Sequence, residues 1–169
     1  MKRLIIMRHG KSDWKSATAT DHGRPLAKRG RVAAKTMGLV LTRANEQPDL
    51  VITSTATRAR DTASLAAKSG EWDCEVEETE RLYLSGPDEM IKIASAAGDN
   101  VNRLLLVGHQ PTCADLIYRL TGGIVQVKTA TVVGLDVGID AWEELPGAEA
   151  TIGWVLQPRM FTDYDIAVE

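Results

Sequence analysis

Short apolar runs alternate with longer amphipathic stretches along the chain. Residues 3–8 carry Leu4-Ile5-Ile6-Met7 and run straight into Arg8-His9-Gly10. A continuous apolar run this short, bounded by glycine, predicts a strand buried on both faces. The pattern returns at 103–109, where Leu104-Leu105-Leu106-Val107 leads to Gly108-His109. Leu50-Val51-Ile52-Thr53 predicts another short strand, and the alternation over 74–77 predicts an edge strand.

Between these runs the period lengthens. Val32, Ala33, Met37, Val40, Leu41 and Ala44 recur at helical spacing, so 27–44 predicts an amphipathic helix covering the sheet. Ser54-Thr55-Ala56-Thr57 offers hydroxyl caps to a helix running to about residue 68. Pro87 with Asp88 and Glu89 opens a third helix, whose buried side is Met90, Ile91, Ile93, Ala94 and Ala97 and which Gly98 closes. Pro111 opens a fourth, over 112–120, which ends at Gly122-Gly123. The last third changes character. Stretches 131–135 and 151–156 predict two neighbouring strands at one side of the sheet, at least one of them antiparallel, with a turn at Pro146-Gly147 between them. Strands alternating with helices predict an α/β protein, a three-layer α/β/α sandwich on a mostly parallel sheet.

Length and composition narrow the class. A chain of 169 residues suits one domain over 1–169, with a core large enough to need no staples. A formal net charge of −3 with scattered basic residues argues against a nucleic-acid binder. Lys11, Arg24, Lys28, Arg29 and Arg31 still allow a local positive funnel for an anionic substrate. Cys74 and Cys113 have no metal-type spacing and are expected to be reduced thiols of a cytoplasmic protein. Lys2-Arg3 precedes only four apolar residues, short of the roughly 7–15 of a secretory leader. No run approaches the ~20 apolar residues of a membrane span. No membrane association is therefore expected, and nothing in the pattern specifies an oligomeric state.

The candidate chemistry lies in His9 and His109 at strand ends, Arg8 beside the first, Arg24 in the long polar loop 10–26, and Arg58 in the first turn of a helix. A cation is disfavoured at that end of a helix unless an anion docks on the free amides. Arginine presents a planar fork of donors that matches phosphate oxygens. A neutral imidazole is a nucleophile toward phosphorus once a hydrogen bond at its other nitrogen fixes the tautomer. Singly, each residue has a plain structural reading, a satisfied histidine or a salt-bridged arginine. Together they point to phosphoryl chemistry. His22 is expected to be a solvated loop side chain. A zinc site of His9, His22 and His109 fits by count, but Arg8 and Arg24 would repel the cation, so no metal and no cofactor are expected.

The residues match a known pattern. Met7-Arg8-His9-Gly10-Lys11-Ser12-Asp13-Trp14, Asp21-His22-Gly23-Arg24-Pro25-Leu26 with Gly30, Ser54-Thr55-Ala56-Thr57-Arg58-Ala59 with Thr62, and Leu106-Val107-Gly108-His109-Gln110-Pro111 follow one another in family order. The chain resembles the histidine phosphatase superfamily, with its phosphoglycerate mutase-like fold. Within it, the chain looks most like the small phosphohistidine phosphatases of the SixA type. The resemblance covers the chain to about residue 120. It implies that His9 is transiently phosphorylated, that Arg8 and Arg58 clamp the phosphoryl oxygens, that His109 is a further donor, and that Arg24 lines the pocket. No metal is implied. The role of Ser12 is left open.

Larger relatives carry a glutamate that protonates the leaving oxygen, and Glu80-Arg81-Leu82-Tyr83 resembles that segment. Glu80 is thus a candidate acid, or one exposed carboxylate among Glu75, Glu77 and Glu78. An imidazole leaving group titrates near ~6.5 and can take its proton from solvent, so a missing acid would favour phosphohistidine as substrate. The loop 10–26 is too short for a cap domain, and an open pocket can admit a side chain on another protein. The leading expectation is a metal-independent phosphatase acting on phosphohistidine in proteins, a histidine phosphotransfer domain being the family-level partner. The alternatives are a small-molecule phosphomonoesterase or mutase, and a non-catalytic phosphate-binding regulatory module.

Overall fold

The computed structural model describes residues 1–162. The last seven residues of the expected 1–169 domain lie outside the described residues.

Six strands form one sheet: β1 (Lys2–Arg8), β2 (Leu50–Ser54), β3 (Glu75–Thr79), β4 (Arg103–Gly108), β5 (Val132–Val137) and β6 (Ala150–Leu156). Their order is β3-β2-β4-β1-β5-β6. The first four run parallel, β5 runs antiparallel to β1, and β6 reverses again. The mostly parallel α/β sheet with an antiparallel strand is as the apolar runs predict.

Strand β1 is fully buried over its apolar run Leu4 to Met7 because both of its faces meet helices. Leu4 and Ile6 join the core under α3 (Pro87–Ser95) and α4 (Thr112–Thr121). Ile5 and Met7 join the core under α1 (Lys28–Arg43) and α2 (Thr57–Gly70). A short α5 (Arg159–Thr162) ends the described chain.

The registers set the site. Arg8 pairs with Gly108 across β1 and β4, and Thr53 pairs with Val107 across β2 and β4. The residues that follow three neighbouring strands therefore emerge at one edge, where ligands bind in open α/β sheets.

Three local expectations are corrected. On α1, Val32 is exposed, and Gly30, Ala34 and Gly38 lie on the buried side. The reason is close approach: a Cβ at Gly38 would stand 2.1 Å from the Ala66 carbonyl oxygen of α2. Hydropathy weights Val above Gly, but the helix–helix contact selects the smallest side chain. On α2, no hydroxyl caps the helix; Ala56 is the N-cap, and Ser54 and Thr55 turn their hydroxyls to histidines instead. The third helix also ends before Gly98, at Ser95 with Ala96 as C-cap.

Candidate active site

His9 leaves β1 beside its neighbour strand, and its backbone N–H donates to the Gly108 carbonyl at 3.0 Å. Gly10 turns the chain away under the start of α1. A Cβ at Gly30 would fall 2.1 Å from the Lys11 carbonyl oxygen, so glycine lets that helix press against the loop. The Gly10 N–H donates to Thr62 Oγ1 at 2.9 Å, and that hydroxyl donates to the Arg58 carbonyl at 2.6 Å. Helix α2 is thereby tied to the loop that carries His9.

The His9 ring is oriented from both sides. Nδ1 donates to the Gly10 carbonyl at 2.7 Å, which leaves Nε2 with the lone pair. Arg58 Nε donates to that nitrogen at 3.2 Å. His9 is only 7% exposed. Burial, with the charges of Arg58 and Arg8 behind it, pushes its pKa down to about 3. The ring is therefore neutral at physiological pH, with its lone pair on Nε2.

His109 stands opposite, its ring centroid 5.1 Å from that of His9. Burial first, then the Arg58 charge, lowers its pKa to about 4. Its Nε2 lies 2.9 Å from Ser54 Oγ. That oxygen also accepts from the Ala56 N–H at 3.2 Å, and its own proton can be given to Nε2. In that arrangement His109 carries its hydrogen on Nδ1. Among the described residues, His109 Nδ1 and Arg8 Nε are both buried without a partner. Unmade hydrogen bonds of this kind are costly and call for explanation. Arg8 otherwise spends one donor on the Val127 carbonyl at 3.1 Å, and burial pushes its guanidinium below its ordinary value.

Arg58 extends outward from His9. Its terminal nitrogens donate to the Asp21 carbonyl at 2.8 Å and to Asp21 Oδ2 at 3.1 Å. Tyr83 Oη donates to the same carboxylate oxygen at 2.9 Å, and Arg24 to the other at 2.7 Å. Arg24 first, with Tyr83 and Arg58, holds the Asp21 carboxyl well below the usual carboxylate range.

The structure brings Arg8, His9, Arg58 and His109 together. Arg24 belongs to the rim: its guanidinium bonds Asp21 and Ser12 Oγ and lies 3.6 Å over the Trp14 ring. His22 is not the solvated side chain expected of it. Its Nε2 meets Thr55 Oγ1 at 3.0 Å, and its ring stands edge-on to Tyr83, 4.9 Å between centroids. Glu80 is exposed in a short 3₁₀ turn, Glu80–Leu82. Asp21, Ser54, Thr62 and Tyr83 are parts of the cluster that stood in the quoted motifs with no role in the site assigned to them. No group of three or more His, Cys, Asp or Glu side chains among the described residues is arranged to hold a metal ion. Nor, among them, is any helix long and apolar enough to cross a membrane. Both cysteines are free thiols, and burial pushes Cys113 up to about 12.

Comparison with known proteins identifies the class. The family model described as the histidine phosphatase superfamily (branch 1) matches residues 4–83. An uncharacterized Mycobacterium leprae protein is 39% identical over 119 residues, 69% of this chain and 71% of that protein. A putative SixA phosphohistidine phosphatase from Nakamurella multipartitia superposes with a TM-score of 0.83 at 26% identity, covering 93% of this chain and 96% of that one. The protein histidine phosphatase SixA complexed with tungstate shares the fold, with a TM-score of 0.76 at 21% identity over 94% of this chain and 98% of that one. The chain belongs to the histidine phosphatase superfamily, with the phosphoglycerate mutase-like fold. Membership and these neighbours support phosphatase activity.

Proposed function

We propose that this protein hydrolyses phosphohistidine in proteins through a phosphohistidine intermediate on its own His9. The carrying observation is the His9 ring: neutral, locked at Nδ1 by the Gly10 carbonyl, and presenting Nε2 between Arg58 and His109. Nε2 attacks phosphorus, and the phosphoryl group passes to His9 as its bond to the leaving nitrogen breaks. Water then attacks the phosphorylated imidazole, releasing phosphate and restoring Nε2. The two partnerless donors, Arg8 Nε and His109 Nδ1, find their acceptors in the phosphoryl oxygens, and Arg58 holds a third. Donors set in advance where charge develops supply most of such rate enhancement. The arginine cations supply the positive charge that a metal would otherwise bring, so the reading is metal-independent.

Two observations favour phosphohistidine over a phosphate ester. Glu80 is exposed, and the histidine–arginine cluster contains no protonated carboxyl to serve an alkoxide. An imidazole leaves without one. The mouth also lacks a cap segment among the described residues, which suits a side chain presented by another protein, such as a phosphotransfer domain. The one domain over 1–169 and a cytoplasmic setting with reduced thiols accompany this reading.

A labelled phosphoryl donor, an alkaline quench and peptide mapping test the mechanism. Label on His9 is the expected result, and turnover with label on no residue overturns it. Activity on sugar phosphates far above that on phosphohistidine peptide overturns the substrate.

A further inference from the structure

Asp21 is the member of the cluster without an assigned task. Arg58 touches His9 with its Nε and Asp21 with its far nitrogens. Asp21 therefore stands about one guanidinium width farther from the nucleophile. It also lies on the solvent side: its side chain is 48% exposed, against 7% for Arg58. In a phosphoryl transfer the attacking and leaving atoms lie roughly in line across phosphorus. A group leaving from opposite His9 moves toward the mouth, where the Asp21 carboxylate and the ring of Tyr83 stand.

A carboxylate offers about four lone-pair sites. Arg24, Arg58 and Tyr83 fill three of those on Asp21. The exposed remainder can accept one more N–H. Phosphohistidine can supply it. One ring nitrogen carries phosphorus, and the other must bear a proton before the bond breaks, or the product leaves as an imidazolate. With that proton in place, the bond to His9 Nε2 forms, the substrate P–N bond breaks, and its electron pair stays on the departing nitrogen. The product is a neutral imidazole, and the proton has come from solvent.

We propose that the Asp21 carboxylate accepts the N–H of the remote ring nitrogen of the substrate imidazole, and so selects phosphohistidine over phosphate esters. An ester oxygen has no second nitrogen for Asp21 to hold. Because Asp21 remains ionised next to Arg24 and Arg58, it has no proton to give an alkoxide. The same negative charge already favours the protonated form of the neighbouring His109, against the larger effects of burial and Arg58. This inference rests on the phosphohistidine reading.

The test compares kcat/KM for a phosphohistidine peptide with that for p-nitrophenyl phosphate, whose leaving phenolate needs no proton. Wild type, Asp21→Asn and Asp21→Glu are each assayed as the full chain. Asp21→Asn is expected to lower the ratio of the two constants about tenfold or more, the worth of a hydrogen bond to a charged group, and Asp21→Glu to restore part of it. Both constants are measured on one preparation, so the folded fraction cancels. Equal losses on both substrates would mean that Asp21 only supports Arg58, and would overturn the proposal alone. An unchanged ratio overturns it too. Wild type that is labelled on His9 by p-nitrophenyl phosphate but does not turn over the peptide overturns the substrate reading and this inference together.

Discussion

Strand β1 carries basic residues at both ends, and the two ends treat them in opposite ways. At the start, Lys2 is buried and its ammonium is fully engaged, donating to the Asp99 carbonyl at 2.7 Å and the Val101 carbonyl at 2.9 Å. Arg3 beside it is paired with Asp136 at 3.0 Å and with Glu46. At the finish, Arg8 has one backbone carbonyl, a buried Nε without a partner and no carboxylate, while His9 is surrounded by cations. Buried charges are normally paired. The first end obeys that rule and holds the sheet together. The second breaks it, at the place where the proposed function puts the phosphoryl group. The chain tolerates local cost where function needs it.

The largest expected effect separates the two ends completely. His9→Ala should abolish turnover, with a loss on the order of 10⁴-fold or more, and should erase the alkali-stable label. Residual turnover within tenfold of wild type would remove His9 from the reaction.

Matched substitutions at the two ends of β1 sharpen the contrast. Arg8→Met should cost ~10²–10³ in kcat/KM and leave the urea midpoint unchanged or raised, because a half-buried, under-paired guanidinium is gone. Lys2→Met should do the reverse. Its loss takes a donor from the Asp99 carbonyl and leaves the Val101 carbonyl with only the Trp142 indole N–H at 2.8 Å, and stability should fall by about 1–3 kcal/mol with activity per folded molecule retained. If both variants lose stability alike, the charges at the two ends are equivalent and the comparison fails.

Acid should weaken the fold through the site end. His9 and His109 have pKa values of about 3 and about 4 in the folded chain, below the ~6.5 of a free histidine. Between those values the unfolded chain binds more protons, so stability rises with pH across the window and drops as pH falls from about 6.5 toward 3. The urea midpoint should therefore fall between pH 7 and pH 4.5, and His109→Asn should lose less over the same interval. Equal losses would show that the imidazoles contribute nothing to that slope.

The smallest effect belongs to the carboxylate outside both clusters. Glu80→Gln should change kcat/KM on phosphohistidine peptide less than about threefold, as expected of an exposed side chain without a partner. A loss of about several hundredfold would restore it as a general acid.

Much of this was legible along the chain. The apolar runs at 3–8, 50–53 and 103–109 became central strands. The two histidines that follow β1 and β4 met because those strands pair in register. Periodicity misassigned Val32 because it measures hydropathy, whereas the contact between α1 and α2 turned on side-chain size. The hydroxyls at Ser54 and Thr55 read as helix caps because that is their commonest local use. Their actual partners, His109 and His22, are distant in sequence. Asp21 and Tyr83 were ordinary polar residues in a loop and beside a turn until the fold set them against Arg58.

By itself the sequence determined which segments are buried, since burial follows apolar period, and which residues are candidates for the proposed phosphoryl chemistry, since arginine supplies a fork of donors and imidazole a lone pair. Tertiary structure decided the rest. It chose the tautomer of His9 through the Gly10 carbonyl, the partner of His109 Nε2 in Ser54, and the partner of Arg58 in Asp21. Those choices depend on distances of about 3 Å between atoms from different strands and loops, and a linear pattern contains no such distances.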